Sequence, residues 1–168
     1  MKTLPLFFSV CALAALGAPS MAIAKSSDDA QIRALEARFT AAFNAKDVDA
    51  IMKCYVTGDS LFVFDVTVPR QYVGAAAYRK DWSDFLATFN GSPKMELTDL
   101  DVSGDGTIAY GHSAQHVTGK DTKGQPVEFV VRVTDVYRKI KGQWLIVQEH
   151  VSVPVDMSTN KPDMMSKP

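Results

Sequence analysis

The chain has 168 residues, a formal net charge of −1, 46% hydrophobic residues and 22% charged ones. That length suits one domain around one core, and the balance is that of a folding chain rather than a disordered one. No long run of Lys and Arg is present to track phosphates, so no nucleic-acid partner is expected.

The first residues have the three parts of a secretory signal. Lys2 supplies the positive start, an apolar run covers 4–16, and Ala22-Ile23-Ala24 offers a small-x-small cleavage site, which assigns residues 1–24 to a signal peptide. The run is shorter than the ~20 residues of a membrane span, and no later segment is apolar enough to span. The mature protein is therefore expected in the periplasm or outside the cell, with no membrane partner once the signal is removed. Cys11 leaves with the signal and Cys54 is then alone, so no intrachain disulfide can form. Beside Tyr55 in an apolar stretch, Cys54 reads as a buried, inert thiol.

Ser26 and Ser27 can cap a helix with Asp28 and Asp29 in its first turn. Ile32, Leu35, Phe39, Ala42 and Phe43 then recur at helical spacing, with Arg33, Glu36 and Arg38 assigned to other faces, to an end near Ala45. Asp47 can cap a shorter helix through Ile51, Met52 and Tyr55, stopped by Gly58-Asp59. The Phe- and Val-rich run 61–68 reads as a strand, Pro69-Arg70 as a turn, and 71–73 as a short partner strand. A third helix over 75–89 carries Tyr78, Trp82, Phe85, Leu86 and Phe89 on its apolar side, closed by Asn90-Gly91. Four strands follow, over 95–102, 107–117, 127–140 and 144–155. Gly104-Asp105-Gly106, the polar loop 120–124 and Lys141-Gly142 separate them. The segment 158–168, with two prolines and no pattern, is read as a flexible tail.

Helices gathered ahead of an antiparallel sheet imply an α+β fold, with the helices covering one face of a strongly curved sheet. Such a cone encloses a pocket. Asp65 lies in Leu-Phe-Val-Phe-Asp-Val-Thr-Val, where alternation puts it on the face of Leu61 and Val63. A carboxylate there costs several kcal/mol (roughly) unless paired or protonated, and its raised pKa suits a general base. The bland alternative is that Phe62 and Phe64 take the core and Asp65 faces water. Asp135 shares a face with Val131, Val133 and Tyr137 and poses the same choice, with Arg138 or a backbone donor as the ordinary partner. If Lys141-Gly142 makes a two-residue turn, Asp135 pairs with Gln148 and Val133 with His150, which brings His150 to the Asp135 face as a proton carrier. A one-residue slip puts Glu149 there instead. His112 and His116 share a strand face but stand about 13 Å apart at ~3.3 Å per residue, so one ion cannot hold both. No metal motif is found, and Gly-Asp-Gly at 104–106 has no following helix to make it a phosphate loop.

The stretch Arg38-Phe39-Thr40-Ala41-Ala42-Phe43-Asn44-Ala45-Lys46-Asp47-Val48-Asp49 resembles the helical entry of SnoaL-like and ketosteroid-isomerase-like members of the NTF2-like superfamily. Thr134-Asp135-Val136-Tyr137-Arg138, with Gly142-Gln143-Trp144-Leu145-Ile146-Val147, resembles their final hairpin. The resemblance covers nearly all of 25–157, which it marks as an NTF2-like cone. It implies Asp65 as the base and Asp135 as a protonated acid beside the substrate oxygen. The tyrosine of the steroid isomerases falls on Phe39, which cannot donate a hydrogen bond, so a substrate other than a steroid is implied, with Tyr55, Tyr72 or His150 as donor. Phe39, Tyr55, Val63, Tyr72, Trp82, Val133 and Tyr137 are expected to line the pocket. The resemblance further implies a small-molecule ligand, no cofactor, and a homodimer through the open sheet face, where Phe62, Phe64 and Val66 need cover. Two functions remain open: a lyase or isomerase moving protons on a small, apolar carbonyl compound, or a binding or dimerisation module without turnover.

Overall fold

The computed structural model describes residues 20–165. Three helices, α1 (Ser20–Asn44), α2 (Val48–Met52) and α3 (Ala75–Ala87), pack on one face of a six-stranded sheet. Its strands are β1 (Phe62–Phe64), β2 (Tyr72–Val73), β3 (Lys94–Gly104), β4 (Ile108–Lys120), β5 (Pro126–Ile140) and β6 (Gln143–Ser152), in the order β2-β1-β6-β5-β4-β3. This is the α+β cone, with helices on a curved, largely antiparallel sheet. One pairing departs from the expected pattern: β1 runs parallel to β6. Distant segments carry no hairpin constraint, so their direction is set by packing alone.

Ile32, Leu35, Phe39, Ala42 and Phe43 are all buried, as their spacing predicts. Leu35 and Phe43 are fully enclosed, a contribution of about 1.5–3 kcal/mol each. The start of α1 differs from expectation, since the helix runs through Ser26 and Ser27 instead of beginning at them. Met21, Ala22, Ala24 and Lys25 are good helix formers, so nothing there obliges the helix to stop. The signal-peptide reading lies outside the described residues except for the backbone of 20–24. At the other end Lys46 takes a left-handed conformation (φ 57°), and Asn44 binds the edge of β3 twice. Its amide donates to the Met95 carbonyl (3.3 Å) and its carbonyl accepts from Met95 N–H (2.6 Å). Asp28, near the helix start, accepts from Lys139 Nζ (2.7 Å) and Trp144 Nε1 (3.1 Å), which moors α1 to the β5–β6 hairpin.

Asp47 caps α2 as expected, accepting from Ala50 N–H at 2.9 Å. The helix stops at Met52, short of Tyr55, because the backbone of 54–56 is taken by the sheet. Ile146 N–H donates to Cys54 C=O (2.9 Å), and Val56 N–H donates to Ile146 C=O (2.8 Å). The strand expected over 61–68 shrinks to β1, because the Asp65 carboxylate accepts from Val66 N–H (2.6 Å) and Thr67 N–H (3.3 Å) and turns the chain. Beyond β6, β7 (Val155–Asp156) and β8 (Lys161–Pro162) form a small hairpin. The segment from 158, patternless in sequence, thus returns to the sheet, where Val130 N–H donates to Met164 C=O at 2.7 Å. Asp156 organises this turn by accepting from Ser158 N–H, Ser158 Oγ and Thr159 Oγ1.

Gly111 on β4 leaves room for the Tyr137 ring on β5. A Cβ there would stand 3.1 Å from Tyr137 Oη and 3.2 Å from the Asp101 carbonyl. Gly111→Val should destabilise the domain by about 1–3 kcal/mol, read as a lower urea midpoint at an unchanged slope.

Candidate functional site

On β4 the inward positions are Ala109, Gly111, Ser113, Gln115 and Val117, and on β5 they are Val131, Val133, Asp135 and Tyr137. Strand β6 obeys no single alternation. Trp144 and Ile146 face inward, and so do Glu149 and Val151 further on, so the parity changes between them. The change is a β-bulge. Tyr137 pairs with Ile146 but Val136 pairs with Gln148, which leaves Val147 as the extra residue. Asp135 therefore stands opposite Glu149, and Thr134 opposite His150. The bulge coincides with the bridge to Tyr55, whose flanking backbone bonds both sides of Ile146.

Glu149 is 3% exposed, and both of its oxygens are held. Tyr55 Oη donates to Oε2 at 2.7 Å, and Tyr78 Oη donates to Oε1. Burial raises its pKa from 4.5 to about 7 against the lowering effect of the two phenols, with the Asp65 and Glu36 charges adding to the rise. Two further acids are sealed nearby. Glu36 on α1 accepts from Tyr137 Oη (2.9 Å), and burial lifts its pKa to about 7 as well. Asp135 is pushed well above the ordinary carboxylate range, first by burial and then by the Glu149 and Glu36 charges. Its Oδ1 has no hydrogen-bond partner, and Tyr137 Oη lies 3.5 Å from its Oδ2. Among the described residues no Lys, Arg or His bonds to any of the three. Three carboxyls without a cation cannot all ionise together, and Asp135 is the one held as the neutral acid. Burial also raises the pKa of Tyr55, Tyr78 and Tyr137, so all three remain neutral donors.

Glu149 forms part of the wall of a cavity of about 170 Å³ between the helices and the sheet. Most of that wall is apolar: Phe39 and Phe43 from α1, Trp82 and Phe85 from α3, Met95, Val117, Phe129, Val131 and Val151 from the sheet, and Met164 from the terminal hairpin. Phe39 and Trp82 meet edge to face at 5.6 Å. The polar liners are Asp65, Thr67, Tyr78, Asp81, Gln115 and Glu149. Asp65 holds two backbone N–H groups on Oδ1, and its pKa is raised, mainly by burial. Asp81 accepts from Tyr72 Oη. The cavity thus carries carboxyl groups on different elements, Glu149 on β6, Asp65 after β1 and Asp81 on α3.

A family model of the SnoaL-like domain matches residues 32–156. The chain belongs to the SnoaL-like family. Among solved structures it is similar to an NTF2-like protein of unknown function from Pseudomonas putida KT2440, at 30% identity over 85% of this chain and 98% of that one (TM-score 0.76). It shares the fold of a candidate scytalone dehydratase from Novosphingobium aromaticivorans DSM 12444, with 14% identity, 80% and 89% coverage and TM-score 0.72. It shares it also with a candidate dehydratase of the NTF2-like family from Streptomyces avermitilis, with 18% identity, 76% and 97% coverage and TM-score 0.67. No curated protein matches the chain.

Within this SnoaL-like domain the residues singled out from sequence divide into four groups. Asp65, Phe39 and Trp82 line the cavity. Asp135, Tyr55, Val63, Val133 and Tyr137 are buried but stand outside its wall, with Tyr55 reaching Glu149 from behind and Val63 level with Glu149 on β1. Tyr72 acts through Asp81. His150 is a correction: it is exposed on the outer face beside Phe64, with ring centroids 5.6 Å apart, because the bulge turns Glu149 inward in its place. Glu36 is a second correction. It belongs to the buried stripe, four residues after Ile32 and three before Phe39, a spacing that the sequence displayed openly. Asp81 and Gln115 had no distinguishing signal. Cys54 is buried, and burial pushes its thiol up to about 11.

Glu36 and Glu149 hold protons in the fold that the unfolded chain releases near 4.5. Their contribution is complete below about 4.5 and is lost as pH rises through about 7. Stability should therefore fall across that window by on the order of a few kcal/mol. Glu36→Gln should flatten the decline and raise the urea midpoint at pH 8.

Proposed function

We propose that this SnoaL-like domain is a cofactor-free lyase or isomerase that moves a proton on a small, largely apolar carbonyl compound. The observation that carries the reading is Glu149, a carboxyl with pKa about 7 set in the wall of an apolar cavity. A base poised near neutrality takes a proton from the carbon beside a carbonyl and can release it again. The surrounding tyrosines and the neutral Asp135 hold Glu149 in place and moderate its charge, while Asp65 supplies a second carboxyl in the same cavity. Such a base suits a dehydration. Glu149 takes the C–H proton and passes it to the departing hydroxyl, a C=C bond forms, water leaves and the carboxylate is restored. The candidate dehydratases of the same fold agree with this choice.

A second reading, binding without turnover, is favoured by one observation: both Glu149 oxygens already accept from phenols, which makes the carboxylate a weaker base. The two separate in one experiment. A panel of single-ring β-hydroxy ketones and their unsaturated isomers is incubated with the protein, and products are followed by ultraviolet absorbance. Turnover should rise with an apparent pKa of about 7. Glu149→Gln should reduce kcat by about 10²–10⁴-fold, with ligand affinity kept within a few-fold. Saturable binding with no product in the parent protein establishes the binding module instead.

Export and a homodimer complete the proposal. Phe62 and Phe64, with ring centroids 4.9 Å apart, and the exposed Ile108 and Tyr110 form apolar ground on the outer sheet face. Sedimentation should give twice the chain mass at micromolar concentration, and a monomer there removes the dimer.

A further inference from the structure

Gln115 is 5% exposed and lines the cavity, yet its side-chain amide makes no hydrogen bond among the described residues. Among the described residues the side-chain polar atoms both sealed and unpartnered are Trp82 Nε1 and Asp135 Oδ1. The Gln115 amide is therefore open to the cavity itself. A buried amide without a partner costs free energy unless water or a ligand satisfies it. Elsewhere in the wall the carboxyls are engaged, Glu149 by two phenols, Asp65 by two backbone N–H groups and Asp81 by Tyr72, while Trp82 Nε1 is unpartnered but sealed. Gln115 presents a free amide to the cavity.

Gln115 and Glu149 lie at different ends of the concave face. Gln115 on β4 is level with Val131, four residues along β5 from Asp135, which faces Glu149. At ~4.8 Å between strands and ~3.3 Å per residue, their backbones are about 16 Å apart. Both side chains reach inward, so a molecule between them spans one ring and its substituents. The volume agrees, since about 170 Å³ is close to the ~150 Å³ that accepts a benzene ring in an engineered cavity.

Charge narrows the ligand further. Among the described residues of the wall there are three carboxyls, Asp65, Asp81 and Glu149, and no Lys, Arg or His. A carboxylate or phosphate ester would enter against like charge with no counter-ion. Aromatic walls beside acids also attract organic cations. However, the acids of this cavity already have donors, and the unpartnered polar group that is open to it is the neutral Gln115 amide.

We infer that the cavity takes an uncharged molecule the size of one substituted ring, whose carbonyl oxygen accepts a hydrogen bond from the Gln115 side-chain amide. This rests on reading the cavity as a small-molecule site, and it deepens that reading by naming the charge, the size and the anchoring residue. Its orientation puts the carbonyl oxygen at Gln115 and the carbon beside the carbonyl on the side of Glu149.

The test is binding, not turnover, so the two proposals fail separately. Acetophenone, ethylbenzene, benzoate and benzylammonium share one ring and differ in the polar group. Their affinities for the purified protein are measured by ligand-observed NMR titration at pH 8. Acetophenone should bind roughly 3- to 10-fold tighter than ethylbenzene, the span expected of one hydrogen bond. Benzoate should be at least about 10-fold weaker than acetophenone. Gln115→Met, close in volume, should erase the preference of ketone over hydrocarbon while leaving ethylbenzene affinity unchanged. Benzoate or benzylammonium binding as tightly as the ketone overturns the inference, as does a preference that survives Gln115→Met, or no ketone binding. Should the variant fail to fold, the parent protein alone still decides, because equal affinity for acetophenone and ethylbenzene leaves the amide no role. Absence of turnover with these affinities intact sinks the enzyme and leaves the anchor standing.

Discussion

One surplus residue in β6 governs what the cavity contains. In an uninterrupted hairpin from Lys141-Gly142, alternation brings Gln148 and His150 to the concave face, opposite Asp135 and Val133. Val147 bulges out of the ladder, the alternation resets, and Glu149 and Val151 take those places. The interior thus receives a carboxyl where it would have held the Gln148 amide, and Val151 where it would have held an imidazole, and it becomes a nest of acids and phenols with no basic residue at its centre among the described residues. The same point anchors the chain after α2, whose backbone clasps Ile146 on both sides. A bulge needs local backbone partners to hold its geometry, and here the Cys54–Val56 segment provides them.

Burying three carboxyls is costly, and the fold meets that cost with hydroxyls rather than cations. Tyr55 and Tyr78 converge on Glu149, and Tyr137 on Glu36, each from a different element. Phenols stabilise a carboxylate moderately without neutralising it, so Glu36 and Glu149 are left near neutrality instead of being driven far down by an ion pair. An arginine in the position of any of these tyrosines would make a tighter pair and a poorer proton carrier. The stability given up in this cluster is in keeping with the function proposed above.

Element order, the amphipathic faces of α1 and α3, the cap at Asp47 and the strand meander were legible in the sequence because each rests on local periodicity or turn chemistry. The lengths of β1 and α2 were not, since the Asp65 turn and the Ile146 clasp depend on contacts that periodicity does not encode. Glu149 was visible only as one branch of a choice, because a bulge shifts register without leaving a compositional mark. Glu36 was legible and was misjudged: its charge outweighed its position on the stripe. Gln115 and Asp81 became candidates only when the cavity joined segments far apart in the chain.

The small hairpin beyond β6 has a practical corollary. Where β6 ends opposite Arg132, Met164 takes up the vacated backbone position at Val130 and lends its side chain to the cavity wall. The wall of the cavity therefore depends on a segment that follows the last strand of the main sheet. A version shortened before Met164 would lose part of that wall and be a poor basis for judging the cavity.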